Sequence, residues 1–318
     1  MPSRRVPMSS AEKCIFLQFD SSRPYGSAEH YHHFLLGYLL PCVHVIGQME
    51  REVAGRESTG IRWHVRSCGP VMDRVLAEAL SALGIAYRIE SPARVIEGHG
   101  AEILTVPRFD RWCAGIRWGA TRRRSDAAWS QTMAAADRCA AHLQCRERST
   151  IPDGSYLLIR RSEQPEYYRR GGPAEIAEYG TGRRSLLGTG EAEEFLQRRG
   201  IHAVVFEPGL HTLAAQIDTF RRCRGVIAIR GAELANIVWM RPGCEVFMFH
   251  PPMAFARAPE ATLAALVGVK FVDIPVPTGH HRIDPPLIER MLRDPSAHSP
   301  WSWAAIRRRL TASIARLP

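Results

Sequence analysis

The stretch GVIAIRGAELANIVWMRPGCEVFMF, residues 225–249, holds two apolar runs separated by turn chemistry. Residues 226–229 are apolar and largely β-branched and end at Arg230 and Gly231, the pattern of a strand buried on both faces that stops in a tight turn. Residues 232–240 have the apolar spacing of a short helix, and Arg241, Pro242 and Gly243 end it before a second apolar run, residues 245–249. The stretch therefore predicts strand, turn, helix and strand. A glycine at such a turn lets backbone N–H groups approach an anion, and the helix N-terminus adds a favourable dipole. Gly231 and Ala232 are thus candidates to surround a phosphate, and the Arg230 guanidinium matches phosphate oxygens in pairs. Glu233 puts a carboxylate beside the same turn. Asn236, a poor helix former in an apolar run, is expected to hydrogen-bond a neighbouring loop or a ligand.

Gly231, Ala232, Leu234, Ala235, Asn236, Pro242 and Gly243 match the pattern HGAGLAN…F…PG…V, so the stretch resembles the signature near the end of glycosyltransferase family 61. Arg230 stands where His is usual in that family, and Glu233 where Gly or Ala is common. The resemblance is to bacterial members of the capsular polysaccharide biosynthesis type. It implies a GT-B fold, with two Rossmann-like α/β lobes facing a cleft. It also implies transfer of a sugar from a nucleotide-sugar donor to the hydroxyl of a glycan or lipid-linked acceptor.

At 318 residues the chain exceeds the size at which one core usually keeps growing, so two lobes are expected. A net charge of +10 raises nucleic acid or an anionic membrane as partners. The charge, however, comes from arginines spread along the whole chain, with only Lys13 and Lys270 as lysines, and no nucleic-acid motif accompanies them. Nucleic acid is therefore not an expected partner. Eight cysteines lie scattered without a C-x-x-C pair and read as free thiols of a reducing compartment. No apolar run has signal-peptide or membrane-span length, so a cytoplasmic protein, reaching at most the inner face of a membrane, is expected.

In the first lobe, residues 14–19, 61–65, 86–89 and 103–106 read as strands, and residues 28–40, 71–83 and 126–143 as helices, the first closed by Pro41. Ser21, Ser22, Pro24 and Gly26 mark a loop after the first strand. On the first helix His30, His33 and Gly37 share one face, while His32, Leu35, Leu36 and Leu39 share another. Tyr31, His33, Phe34, Leu35, Leu36 and Pro41 resemble the family's stretch of an aromatic residue, HFLLE and Pro, with Gly37 where an acid is frequent. Sugar transfer with inversion needs a base for the acceptor hydroxyl, and a neutral histidine suits that task. His33 is the first candidate and His30 the second, with Asp20 and Glu29 behind them. A structural role for a helix-face histidine stands beside this reading. Arg122 to Arg124 form a basic turn.

Residues 146–154 read as a linker. The strand at 156–159 delivers Arg160 and Arg161 to its carboxyl end, where open parallel sheets bind ligands. A long polar loop over 162–182, with Tyr167 and Tyr168, leads to Arg183 and Arg184, which match an R-R of the family. Helices at 191–199 and 213–223 flank a strand at 203–206, followed past the opening stretch by a helix at 261–266, a strand at 269–272 and a loop through 275–281. Gln216 and Phe220 fit a family pattern in which Ala215 replaces Glu, and Gln216 either reaches the donor or holds the loop at Gly231. The domains are then 1–150 on the acceptor side, 151–280 for the nucleotide-sugar, and 281–318 packing back on the first lobe. Within the last, residues 301–317 read as an amphipathic basic helix, for which docking is favoured over an anionic membrane. No D-x-D triplet occurs, which fits a site that uses arginine and no metal or other cofactor. A binding protein that has lost catalysis is the alternative, motivated by the departures at Gly37, Ala215, Arg230 and Glu233.

Overall fold

The computed structural model describes residues 13–20, 27–53, 61–91, 102–110, 122–144, 146–164, 166, 180–251 and 259–294. The chain divides into two units, residues 1–112 with 121–142, and residues 113–120 with 143–318. Both are α/β with parallel sheets.

The first unit begins with β1, Lys13–Phe19. A continuous helical segment follows: α1, Tyr31–Phe34, a π turn, Leu35–Leu39, and α2, Leu40–Val53. Then come β2, Ile61–Arg66, α3, Pro70–Ala82, β3, Tyr87–Glu90, β4, Glu102–Val106, and α4, Arg122–Leu143. The strands pair in parallel in the order β3-β2-β1-β4. The core is built from Ile15, Leu17, Val65, Leu76 and Leu80 against Phe34, Leu36 and Leu39 of the helical segment. Tyr38 ties that segment to the sheet, donating from its hydroxyl to the Leu17 carbonyl at 2.8 Å and accepting from the Arg66 N–H at 2.5 Å.

Pro41 was expected to end the first helix, but the helix runs through it. The reason lies in the π turn, where the Leu40 N–H bonds back five residues to the Leu35 carbonyl. Pro41 sits where five-residue bonding returns to four, so its missing N–H falls at a place where the ladder already skips.

In the second unit the elements are β5, Tyr156–Ile159, β6, Ser185–Leu187, α5, Thr189–Arg198, β7, Ala203–Phe206, and α6, Leu213–Arg222. They continue with β8, Gly225–Ile229, a 3₁₀ helix, Ala232–Trp239, β9, Glu245–His250, α7, Pro259–Val267, β10, Lys270–Pro275, β11, His280–Arg282, and α8, Pro285–Arg293. The main sheet runs β10-β9-β8-β5-β7, all parallel. Read from β7 this is the doubly wound order 2-1-3-4-5. Strands β5, β8 and β9 are buried at every residue, as expected for central strands covered on both faces.

The helix expected at 232–240 is a 3₁₀ helix, with the Leu234 N–H on the Gly231 carbonyl and the Met240 N–H on the Ile237 carbonyl. Eight residues must return the length of a five-residue strand, about 17 Å. At about 2.0 Å per residue a 3₁₀ helix covers about 16 Å, whereas an α-helix covers about 12 Å. Geometry thus selects the tighter winding.

Residues 146–154, read as a linker, are hydrogen-bonded within the second unit: Asp218 accepts from the Ser149 N–H at 2.8 Å, and Arg222 donates to the Ser149 carbonyl at 3.1 Å and pairs with Asp153 at 3.0 Å. The stretch around 185, given no element, and that around 280, read as a loop, form a small parallel pair, β6 and β11. Three residues each are too short for a period to show. Within 281–318, α8 buries Ile288, Met291 and Leu292 in the second unit's core with Leu196 and Phe247. The loop at 21–26, Tyr167 and Tyr168, and the amphipathic stretch 301–317 lie outside the described residues, as do the side chains of Arg122 to Arg124. No described helix is long and apolar enough to cross a membrane.

Candidate functional site

Doubly wound sheets bind ligands at the carboxyl ends of the two strands where the winding reverses. In the first unit these are β1 and β4. The chain leaves β4 as Pro107, Arg108, Phe109 and Asp110, and leaves β1 toward the helical segment that carries His33. These pieces meet. The Asp110 carboxylate, 1% exposed, lies 2.7 Å from His33 Nδ1. Arg108, also buried, donates to both oxygens of that carboxylate, from Nε to Oδ1 at 3.0 Å and from Nη2 to Oδ2, and its Nη1 reaches the Asp20 carbonyl at 3.3 Å. Burial pushes the Asp110 carboxyl up, but the hydrogen bonds from His33 and Arg108 outweigh it and hold the group below the usual range.

Gly37 makes room for this arrangement. A Cβ there would stand 2.8 Å from Asp110 Oδ1, so the Asp110 carboxylate occupies the space beside position 37, where an acid is frequent in the family pattern. The π turn contains Gly37 and holds His33 and Gly37 on the side facing Asp110; such turns recur at functional sites. A carboxylate at Nδ1 fixes the imidazole in the tautomer with its lone pair on Nε2 and stabilises the ring when it takes a proton. The ring of His30 lies tilted at 5.2 Å from that of His33, and the His32 ring meets it edge-on at 5.3 Å. Glu29 lies over Gly69 on the far side, its carboxyl raised by burial against the lowering charge of Arg66.

In the second unit the reversal lies between β5 and β8. Their carboxyl ends deliver Arg160 and Arg161 from one strand, and Arg230 and Gly231 from the other. Arg161, buried, donates from Nε to Glu233 Oε1 at 3.1 Å. Arg230 donates from Nε to Glu260 Oε1 at 3.2 Å and Oε2 at 3.4 Å. Arg184 donates to the Arg230 carbonyl at 3.0 Å. Burial pulls the Arg184 guanidinium down to about 10, and the charges of Arg183, Arg230 and Arg161 add to that effect against the opposing Glu260. The charges of Arg183, Arg230 and Arg161 thus crowd Arg184 at this end of the sheet. Beside them a cavity of about 650 Å³ is lined by Arg160, Arg161, Glu163, Thr181, Gly188 and Glu207.

Gly231 is not required by backbone conformation, because its φ of −169° is extended. A Cβ would lie 2.3 Å from Glu233 Oε2 and 3.2 Å from Arg161 Nε, so a larger residue there would have to displace the Glu233 carboxylate. Ala232 is buried behind it at the start of the 3₁₀ helix. Gln216 and Asn236 join neither crevice. Asn236 is fully buried and donates to Gln216 Oε1 at 3.1 Å, its own oxygen accepts from Trp239 Nε1 at 3.0 Å, and Gln216 donates to the His211 carbonyl at 3.1 Å. Of the two roles open for each, the bonds to neighbouring elements are the ones present. Thr212 caps α6 by accepting from the Ala215 N–H at 3.1 Å.

Asp110, Arg108 and Glu260 escaped the sequence reading. The first two had a signal, a polar pair directly after a strand at the sheet's reversal. Glu260 follows an unpatterned stretch and had none. Among the described residues no group of three or more His, Cys, Asp or Glu side chains is arranged to hold a metal ion.

No curated protein matches the chain significantly. The family model described as Glycosyltransferase 61 matches residues 31–247, which begins at the helix carrying His33, ends inside β9, and takes in Asp110, Arg161, Arg184 and Arg230. With more than half of its length matched, and with the β5–β8 sheet reversal inside the match, the chain belongs to glycosyltransferase family 61.

Proposed function

We propose that the protein is an inverting, metal-independent GT-B transferase, in which the second unit holds the diphosphate of a nucleotide-sugar and the first supplies the base. The arginine crevice at the ends of β5 and β8 carries this reading. Its mutual repulsion is what an anion of two phosphates relieves, and forked guanidinium groups suit phosphate oxygens. In the reaction His33 Nε2 takes the proton of the acceptor hydroxyl as that oxygen attacks the anomeric carbon. The bond from that carbon to the diphosphate breaks, and its electron pair leaves with the diphosphate, whose growing charge falls among Arg161, Arg184 and Arg230. Asp110 keeps the imidazole oriented and compensates the charge of the imidazolium. The departure at Gly37 argues against a protein that has lost catalysis, because Asp110 restores a carboxylate beside the histidine.

The acceptor in this proposal is a glycan or lipid-linked hydroxyl of surface polysaccharide synthesis, met in the cytoplasm at the inner face of the membrane. Buried thiols at Cys42, Cys68, Cys139 and Cys223 suit a reducing compartment. The donor is found by thermal shift with a panel of nucleotide-sugars in the presence of a chelator. A donor at about a hundred times its dissociation constant should stabilise by about 2.7 kcal/mol. A panel that leaves the melting temperature unmoved would contradict the donor site.

A further inference from the structure

The crevice at the end of β8 has an excess of positive charge, yet the place a phosphate would take over Gly231 is filled. The space of the absent Gly231 side chain holds Glu233 Oε2 at 2.3 Å, Arg161 Nε at 3.2 Å and Arg161 Cζ at 3.3 Å. The occupant is an anion of the chain's own, two residues along from the glycine. Its hold is one-sided. Oε1 accepts from Arg161, while Oε2 is buried with no hydrogen-bond partner among the described residues. The neighbouring pair differs, since Glu260 is buried and meets Arg230 Nε with both of its oxygens, at 3.2 and 3.4 Å. One carboxylate is fixed; the other is half-satisfied, and a buried acceptor without a donor is costly to keep.

We propose that Glu233 sets the affinity threshold of this crevice: it is a tethered carboxylate that stands on Arg161 in place of a donor phosphate, and a ligand with two adjacent phosphates is the one bound tightly enough to displace it. The inference rests on the diphosphate reading of this crevice. A single phosphate meets Arg161 alone and competes with an intramolecular carboxylate of high effective concentration. A diphosphate displaces the same carboxylate but also reaches the Arg230 and Arg184 side of the crevice, where repulsion among the arginines favours a second anion. Glu233 thereby raises the affinity threshold for any anion at Arg161, and the contacts of a second phosphate are what clear it.

The test is calorimetric titration of the full chain with inorganic phosphate and with pyrophosphate, at fixed ionic strength, in the wild type, Glu233→Gln and Glu233→Ala. Gln keeps the shape and an oxygen for Arg161, and Ala removes both. The wild type should bind pyrophosphate far more tightly than phosphate. Both variants should bind phosphate and pyrophosphate about tenfold more tightly than the wild type, the size of one charge-assisted bond, because both ligands displace the same carboxylate. Unchanged or weaker phosphate binding in either variant overturns the role of Glu233 while leaving the donor site standing, provided pyrophosphate still binds. If pyrophosphate binds none of the three proteins, the donor-site reading fails and this inference with it.

Discussion

His33→Ala is expected to lower turnover by about a hundredfold or more while donor affinity stays unchanged, since a positioned base contributes at least that much. The expectation rests on a chain of contacts that a helix-face histidine of purely structural use has no need of. Asp110 is almost wholly buried, is locked by Arg108 on both oxygens, and spends one of them on His33 Nδ1 at 2.7 Å. The π turn and Gly37 exist around it. Single-turnover kinetics with the identified donor separate binding from transfer. Near-normal turnover would move the base to His30, whose ring lies 5.2 Å from that of His33.

Replacing Arg161 and Arg230 together by Lys should weaken binding of the nucleoside diphosphate product by about a hundredfold. Lys keeps a positive charge opposite Glu233 and Glu260, so neither buried carboxylate is left unpaired and the fold is spared. It removes the planar fork that engages two phosphate oxygens at once. Each charge-assisted bond is worth about 1.5–3 kcal/mol, and losing one at each residue corresponds to about a hundredfold or more. Affinity within about twofold of the wild type, with an unchanged unfolding midpoint, would place the diphosphate elsewhere.

Strands and most helices of both units were legible because their signal is local. The all-apolar runs at 156–159 and 225–229 could be buried only in the middle of a parallel sheet, and they form its centre. The arginines at the ends of these strands were legible for the same reason, since a residue after a central strand must emerge at the ligand-binding edge. What was hidden depends on partners distant in sequence. Pro41 looked like a helix stop because the π turn that accommodates it is set by Gly37 packing on Asp110, 73 positions away. Asn236 looked polar enough for a ligand, but its partners Gln216 and Trp239 satisfy it inside the fold. Gly231 was read as a turn glycine that lets an anion approach, and what stands against it in the fold is the Glu233 carboxylate and Arg161, at an ordinary φ of −169°.

The most direct test of sugar transfer by this chain is nucleoside diphosphate release from the identified donor, with a chelator present and the anomeric configuration of the product read by NMR. The account predicts release that continues in the chelator, falls about a hundredfold in His33→Ala, and yields a glycoside inverted relative to the donor. Release that stops when metal is removed, or a product that retains the donor's configuration, would contradict it.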